Sequence, residues 1–291
     1  MSLRYKGGVK SAIGAVSSST LGNPGKWTLQ EAIQNVSAGT WNVGVTPTVE
    51  YLVVAGGGSG NRGYINSASN VGGAGGAGGF RTATGFAVAA GTPLTVTVGA
   101  GGAWVVVQDT SAPGADSVFS TITSTGGGGG GMQSRAGGNG GSGGGGGSDP
   151  GTSSGGTGNT PATSPSQGNN GAAGVGTQGG GGGGSSSAGG TPTKGNGTAS
   201  SISGSSVTYA AGGTGGQQNV QGAVGAANTG NGGDGGQQGS GATGNNGGSG
   251  IVIIRYADIY NAATSTTGSP TITVAGGYRV YKWTASGSIT F

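Results

Sequence analysis

The chain has no cysteine and no histidine. Without thiols there is no disulfide framework and no thiolate metal site. Without imidazole, a serine nucleophile loses its usual general base. Charged residues make up 6% of the 291 positions and aromatic residues 5%, with a formal net charge of +4. The few cations are scattered and stacking platforms are sparse, which argues against nucleic acid as a partner. The apolar runs, such as Leu52–Ala55 and Ile251–Ile254, are too short for a membrane-spanning helix. Arg4, Lys6 and Lys10 are not followed by an apolar stretch, so no secretory signal is visible. Proline is also scarce, at 9, and no strict G-X-Y repeat runs the length of the chain, which disfavours collagen.

The acids are equally thin. Glu31, Glu50, Asp109, Asp116, Asp149, Asp234 and Asp258 stand singly, with no paired-carboxylate spacing. Asp149 or Asp234 could meet loop carbonyls at a cation, but neither sits in an acid-dense calcium loop. Gly58–Gly63 matches G-x-G-x-x-G, yet no helix pattern or ribose-binding acid follows. Gly140–Gly144 matches G-x-S-x-G with no histidine to serve Ser142. The expectation is a protein without enzyme activity, metal or cofactor.

What the chain does have is glycine, at 79 positions. Gly72–Gly79 (GGAGGAGG) and Gly137–Gly144 recur with a step of three, as do Gly241, Gly244, Gly247 and Gly250. A three-residue repeat fits neither the α-helix nor the strand. It fits a polyproline II-type spiral, which has three residues per turn and no internal hydrogen bonds. Such spirals must satisfy their amides and carbonyls on one another. The apolar fraction is mostly alanine and valine, so the expected core is backbone, with only a thin side-chain core.

Residues 1–45 read as a separate head. Thr28 and Glu31 have capping-box spacing. Leu29, Ala32, Ile33 and Val36 form one helical face beside Trp27 and Trp41. Strands are expected at Val49–Ala55, Pro93–Val98, Ala103–Val107, Ser117–Ile122, Ser206–Tyr209 and Gly250–Tyr256. In the tail, Thr271–Val274 and Tyr278–Trp283 flank Gly276-Gly277, a hairpin signal, and Ser288–Phe291 adds a third strand. The reading is therefore all-β plus a polyglycine II bundle, with a short N-terminal helix. Residues 46–125 hold strands and the first glycine helices, 126–248 the glycine core, and 249–291 the closing strands that clamp it.

Residues that interrupt the glycine pattern are the candidates for recognition, because binding usually lives on loops held by a rigid scaffold. They are Arg62, Tyr64, Trp104, Met132, Gln133 and Arg135, with the polar stretch Gln217–Asn219. Aromatic and arginine anchors are favoured in such patches.

Several stretches resemble the glycine-rich domain of bacteriophage tail-fibre and other virion appendage proteins. They are Val49–Gly58 (VEYLVVAGGG), Gly76–Thr82 (GAGGFRT), Leu94–Gly102 (LTVTVGAGG), Phe119–Gly131 (FSTITSTGGGGGG) and Gly247–Tyr256 (GGSGIVIIRY). The tail looks like the closing strands of the same domain, and Gly25–Trp41 like an N-terminal segment of marine-phage structural proteins. By composition and period the chain is also similar to phage adhesins with polyglycine II bundles. The resemblance implies a virion protein made in the host cytoplasm. Trp27, Leu29, Ile33, Val36 and Trp41 would dock onto another tail or capsid protein. The interrupting loops would contact a host polysaccharide or outer-membrane protein. The alternative is a virion part that binds no receptor, such as a head fibre, decoration protein or collar piece. An ice-binding glycine-helix protein is a third class. A homotrimer and a monomeric bundle both fit the period.

Overall fold

Val49–Val54 and Ile251–Tyr256 are apolar at consecutive positions apart from Glu50 and Arg255, as expected of strands covered on both faces. The computed structural model describes residue 46 and residues 48–63, 71–104, 111–148, 151–236 and 243–291. The head, with its expected helix, lies outside the described residues. Among the described residues regular structure is β throughout, with no helix. The strands are β1 (Thr48–Val54), β2 (Phe80–Ala87), β3 (Pro93–Thr97), β4 (Ser117–Phe119), β5 (Ile122–Ser124), β6 (Thr152–Ser153) and β7 (Gly174–Val175). They continue with β8 (Thr198–Ser200), β9 (Val207–Tyr209), β10 (Ile251–Ala257), β11 (Ser265–Thr267), β12 (Thr271–Ala275), β13 (Tyr278–Trp283) and β14 (Gly287–Thr290).

One antiparallel sheet runs β12-β13-β10-β1-β2 and a second runs β11-β14-β3-β4-β5. Between them lie Tyr51, Val53, Val252, Ile254, Tyr281 and Trp283 of the first sheet, and Val96, Phe119 and Ile289 of the second, all buried. The opposite face of the first sheet, with Leu52, Val54, Ile251, Ile253 and Val280, is covered by Ile202, Tyr209 and Ala210 around the β8–β9 hairpin. The apolar minority is thus concentrated in one β-unit with two layers of buried side chains. The expectation of a thin side-chain core is corrected there.

The Gly276-Gly277 hairpin forms as expected. Ala275 pairs with Tyr278, and both glycines have positive φ, 61° and 81°. The single strand expected over Ser117–Ile122 is instead a hairpin, because Ser120 turns at φ 53° and its N–H donates to the Thr95 carbonyl at 2.9 Å. Ala103 and Trp104 are not in a strand, and the rest of that expected strand lies outside the described residues. In β2, Thr84 and Gly85 together face Glu50, since Val49 pairs with Phe86 and Tyr51 with Ala83. This is a β-bulge, with Gly85 at φ 75°.

Strands of the β-unit continue directly into glycine segments. β1 runs on into residues 55–61, β5 into 125–131, and β3 into 99–104. Residues 71–79 lead into β2, 111–116 into β4, and 243–250 into β10. The segment 71–79 is the hub. Gly72, Gly75 and Gly78 donate to the carbonyls of Gly236, Gly233 and Gly230; Gly73, Gly76 and Gly79 to Gly131, Gly128 and Thr125; and Ala74 and Ala77 to Gly180 and Gly183. Its carbonyls accept from three further segments. Asn61, Gly58 and Ala55 bond Gly73, Gly76 and Gly79; Gly145 and Ser142 bond Ala74 and Ala77; and Gly216 and Gly213 bond Gly72 and Gly75. Six neighbours surround one segment, and its donors rotate among partners with a period of three residues.

Glycine is needed here for closeness, not for conformational freedom. None of the glycines between 72 and 79 has a positive φ. An ideally placed Cβ on Gly75 would lie 2.0 Å from the Gly58 carbonyl oxygen, and one on Gly78 2.0 Å from that of Ala55. Only a backbone without side chains can approach its neighbours so closely.

Candidate functional site

The glycine segments have two ends. At one they meet the β-unit, where Ala55 N–H bonds Gly79 and Gly250 N–H bonds Gly99. At the other, the described residues bond to each other. Gly236 donates to Asn61 at 2.6 Å, Gly72 to Gly236 at 3.2 Å, Gly216 to Gly72 at 2.9 Å and Ser148 to Val71 at 3.0 Å. This second end forms an outer rim, where the chain repeatedly enters and leaves the bundle.

The interrupting residues gather on this rim. Arg62, half-buried, follows Asn61, whose side-chain Oδ1 accepts the Arg62 N–H at 2.8 Å. Trp104 is fixed by its N–H, which donates to Asn246 Oδ1 at 2.7 Å. Its ring lies against Gly244, where a Cβ would stand 2.0 Å from Trp104 Cδ1. The indole Nε1 is buried with no hydrogen-bond partner among the described residues. Met132 is buried beneath the turn and its carbonyl accepts from Arg135 N–H, while Gln133 is half-buried and the Arg135 side chain exposed. The Gln217–Val220 bridge closes another rim turn. Tyr64 lies outside the described residues, as do Trp27, Leu29, Ile33, Val36 and Trp41.

The glycine-framed motifs serve the bundle. The N–H groups of Gly58, Ser59, Gly60 and Asn61 already bond the carbonyls of Gly76, Ala112, Asn245 and Gly73. None of these four donors is free to cradle a phosphate. Ser142 is fully buried in the bundle interior, and its Oγ has no hydrogen-bond partner among the described residues. Asp234 spends its carboxylate on backbone amides: Oδ1 accepts Thr214 N–H at 2.7 Å and Oδ2 accepts Ala223 N–H at 2.9 Å. Among the described residues, no group of three or more acidic residues gathers as a metal site.

Asp234 belongs to a set that the sequence reading missed. Where a glycine segment lacks a neighbour, a carboxamide or carboxylate supplies the acceptor. Asn231 Oδ1 takes Ala211 N–H, Asn139 Oδ1 takes Thr157 N–H, Asn170 Oδ1 takes Gly158 N–H, and Asp116 Oδ1 takes Gly126 N–H. The fully buried Gln167 accepts Thr125 N–H through Oε1 and donates to the Pro161 carbonyl through Nε2. A signal for them existed. Asn228, Asn231 and Asp234 are three apart, so one column of the repeat is polar and lies at the bundle edge.

The fold and rim define a class: an antiparallel β-unit carrying a backbone-bonded glycine core. The family model of the glycine-rich domain matches residues 33–257, and the chain belongs to that family. No curated protein and no solved structure matches it.

Proposed function

We propose that the chain is a structural component of a bacteriophage virion, of tail-fibre or adhesin type, that presents its outer rim to a host surface. In this reading the glycine segments are polyglycine II helices, and their bundle is a rigid platform. The observation that carries it is the hub segment 71–79, whose donors step around three neighbours every three residues. In a platform of that kind the residues that interrupt the glycine pattern lie at the rim. Arg62, Trp104, Gln133 and Arg135, with Tyr64, contact the receptor, and buried Met132 supports the turn beneath them. Residues 1–45 attach the chain to another virion protein through Trp27, Leu29, Ile33, Val36 and Trp41. No bond is made or broken. The likeness of Val49–Gly58 and Gly247–Tyr256 to virion appendage sequences supports the setting.

The test is binding of labelled full-length protein to a panel of bacterial cells, with amide exchange measured in parallel. Retention on at least one strain, lost in the Arg62→Ala/Trp104→Ala/Arg135→Ala variant, is expected. Slow exchange at Gly73–Gly79 is expected with it. Slow exchange without cell binding would remove the adhesin role and leave a virion part that binds no receptor. Fast exchange throughout the hub would remove the platform itself.

A further inference from the structure

At the pole of the β-unit away from the bundle, the ends of β1, β2, β10 and β13 surround a cleft of about 310 Å³. The β-bulge opens it. With Thr84 and Gly85 both facing Glu50, the ladder between β1 and β2 is broken there. Thr48, Glu50, Thr84, Tyr260 and Tyr278 contribute to the lining. Thr48, Thr84 and Tyr278 are exposed, and Glu50 and Tyr260 half-buried.

The charges in this cleft are already matched. Arg255 donates from both Nε and Nη2 to Glu50 Oε2, at 3.1 and 2.5 Å. The same guanidinium lies 4.2 Å from the centre of the Tyr278 ring. An incoming cation would therefore compete with Arg255 for both the carboxylate and the ring. Among the described residues no lysine or arginine lines the cleft, and Arg255 behind Glu50 and Tyr278 is already paired, so an incoming anion meets one carboxylate and no free cation. What remains is Glu50 Oε1, which accepts nothing among the described residues, two threonine hydroxyls, and the rings of Tyr260 and Tyr278. A hydroxyl gains most from a carboxylate acceptor, and threonine can donate or accept. Tyrosine rings offer an apolar face beside a polar edge. The ligand that uses all of these is neutral, hydroxyl-rich and apolar on one face.

We infer that this cleft binds a neutral saccharide. Its volume is at the low end for ligand clefts, which suits about one or two sugar rings. Glu50 and the threonines hold hydroxyls, and Tyr260 and Tyr278 pack on the C–H face. This site is separate from the rim and does not rest on the virion reading.

Saturation-transfer NMR on the full-length protein tests it, using cellobiose, maltose, lactose and diacetylchitobiose as probes. Tetramethylammonium and inorganic phosphate are run beside them. At least one disaccharide is expected to give signal, and neither ion. Tyr278→Ala is expected to weaken binding at least about tenfold. Glu50→Gln also loosens Arg255, so Thr84→Ala, which leaves the ion pair intact, is measured with it. Both are expected to weaken the same disaccharide, with the melting temperature of Thr84→Ala unchanged. No signal from any disaccharide overturns the proposal. So does signal that survives both Tyr278→Ala and Thr84→Ala, or a preference for tetramethylammonium or phosphate.

Discussion

Replacing Gly75 by alanine tests the backbone core directly. The new Cβ would stand 2.0 Å from the Gly58 carbonyl oxygen, whereas ordinary contact begins near 3.4 Å. The 55–61 segment must then move by more than about 1 Å. The Gly58 carbonyl also accepts from Gly233, and Gly58 N–H donates to Gly76, so both bonds stretch together. Leaving such buried groups unpaired costs about 1–3 kcal/mol each, and overpacking adds a similar amount, for roughly 3–5 kcal/mol in all. A domain of this size shifts its midpoint by about 2–4 °C per kcal/mol, so the expected drop in Tm is about 10 °C or more. Two other glycines serve as comparison. Gly276→Ala meets no atom within 4 Å but sits at φ 61°, so a loss of about 1–2 kcal/mol is expected. Gly151→Ala meets nothing within 4 Å and has no positive φ, so it should be neutral or slightly stabilising. Calorimetric melting of the three purified variants gives the ranking. If Gly75→Ala melts with Gly151→Ala, contact between glycine backbones does not hold the fold.

Asp234→Ala removes the acceptor of both Thr214 and Ala223 N–H. At this half-buried edge about 1–2 kcal/mol should be lost in urea unfolding, with Asp234→Asn recovering part of it. Leu52→Ala opens a cavity at a fully buried position and should cost about 2–5 kcal/mol by the same measurement. Burial, and then the hydrogen bond to Tyr281, push the Tyr256 phenol above its ordinary value of 10.0. The unfolded chain ionises that tyrosine first as pH rises. Its contribution is therefore intact below about pH 10 and lost progressively above it. Stability measured from about pH 8 to pH 11 should fall less steeply in Tyr256→Phe.

The strands were legible where apolar side chains marked them. Val49–Val54, Ile251–Tyr256 and the hairpin at Gly276-Gly277 could be read because burial on both faces, or paired positive φ, leaves a compositional trace. β2 escaped because Thr82–Gly85 is exposed along one edge of its sheet and carries no large apolar residue. The turn at Ser120 escaped because a serine in the left-handed region carries no residue signature. The period of three in Gly72–Gly79 pointed to a backbone core, but not to which segments adjoin. Every glycine block presents the same surface, so neighbour choice is not written in the blocks. It is written in the strands that feed them, in Asn231 and Asp234 at the edges, and in the buried Gln167. The rim residues were legible for a related reason: Arg62, Trp104 and Arg135 interrupt a repeat whose interior holds little beyond glycine, alanine and serine. Trp104's seat against Gly244 was not legible, since the two are far apart in sequence.

Identical surfaces create a problem of register. A glycine segment slipped by three residues along its neighbours would restore every column of backbone hydrogen bonds. Nothing within 125–131 alone distinguishes the two alignments, because Gly126–Gly131 is uniform. Two features prevent the slip. At one end the strands cannot follow, since moving Thr125 by one triplet would drag Ser124 out of its pairing with Ser117. Along the edges, Asp234 would leave Thr214 and Ala223 without acceptors. The same reasoning restricts where the chain can change. A triplet added to 71–79 alone would present donors with no partners, so bundle depth can grow only if all six neighbouring segments grow together. The rim turns carry no such condition, because each joins two segments already fixed below it. The core therefore tolerates a change in length or residue type best at the rim turns.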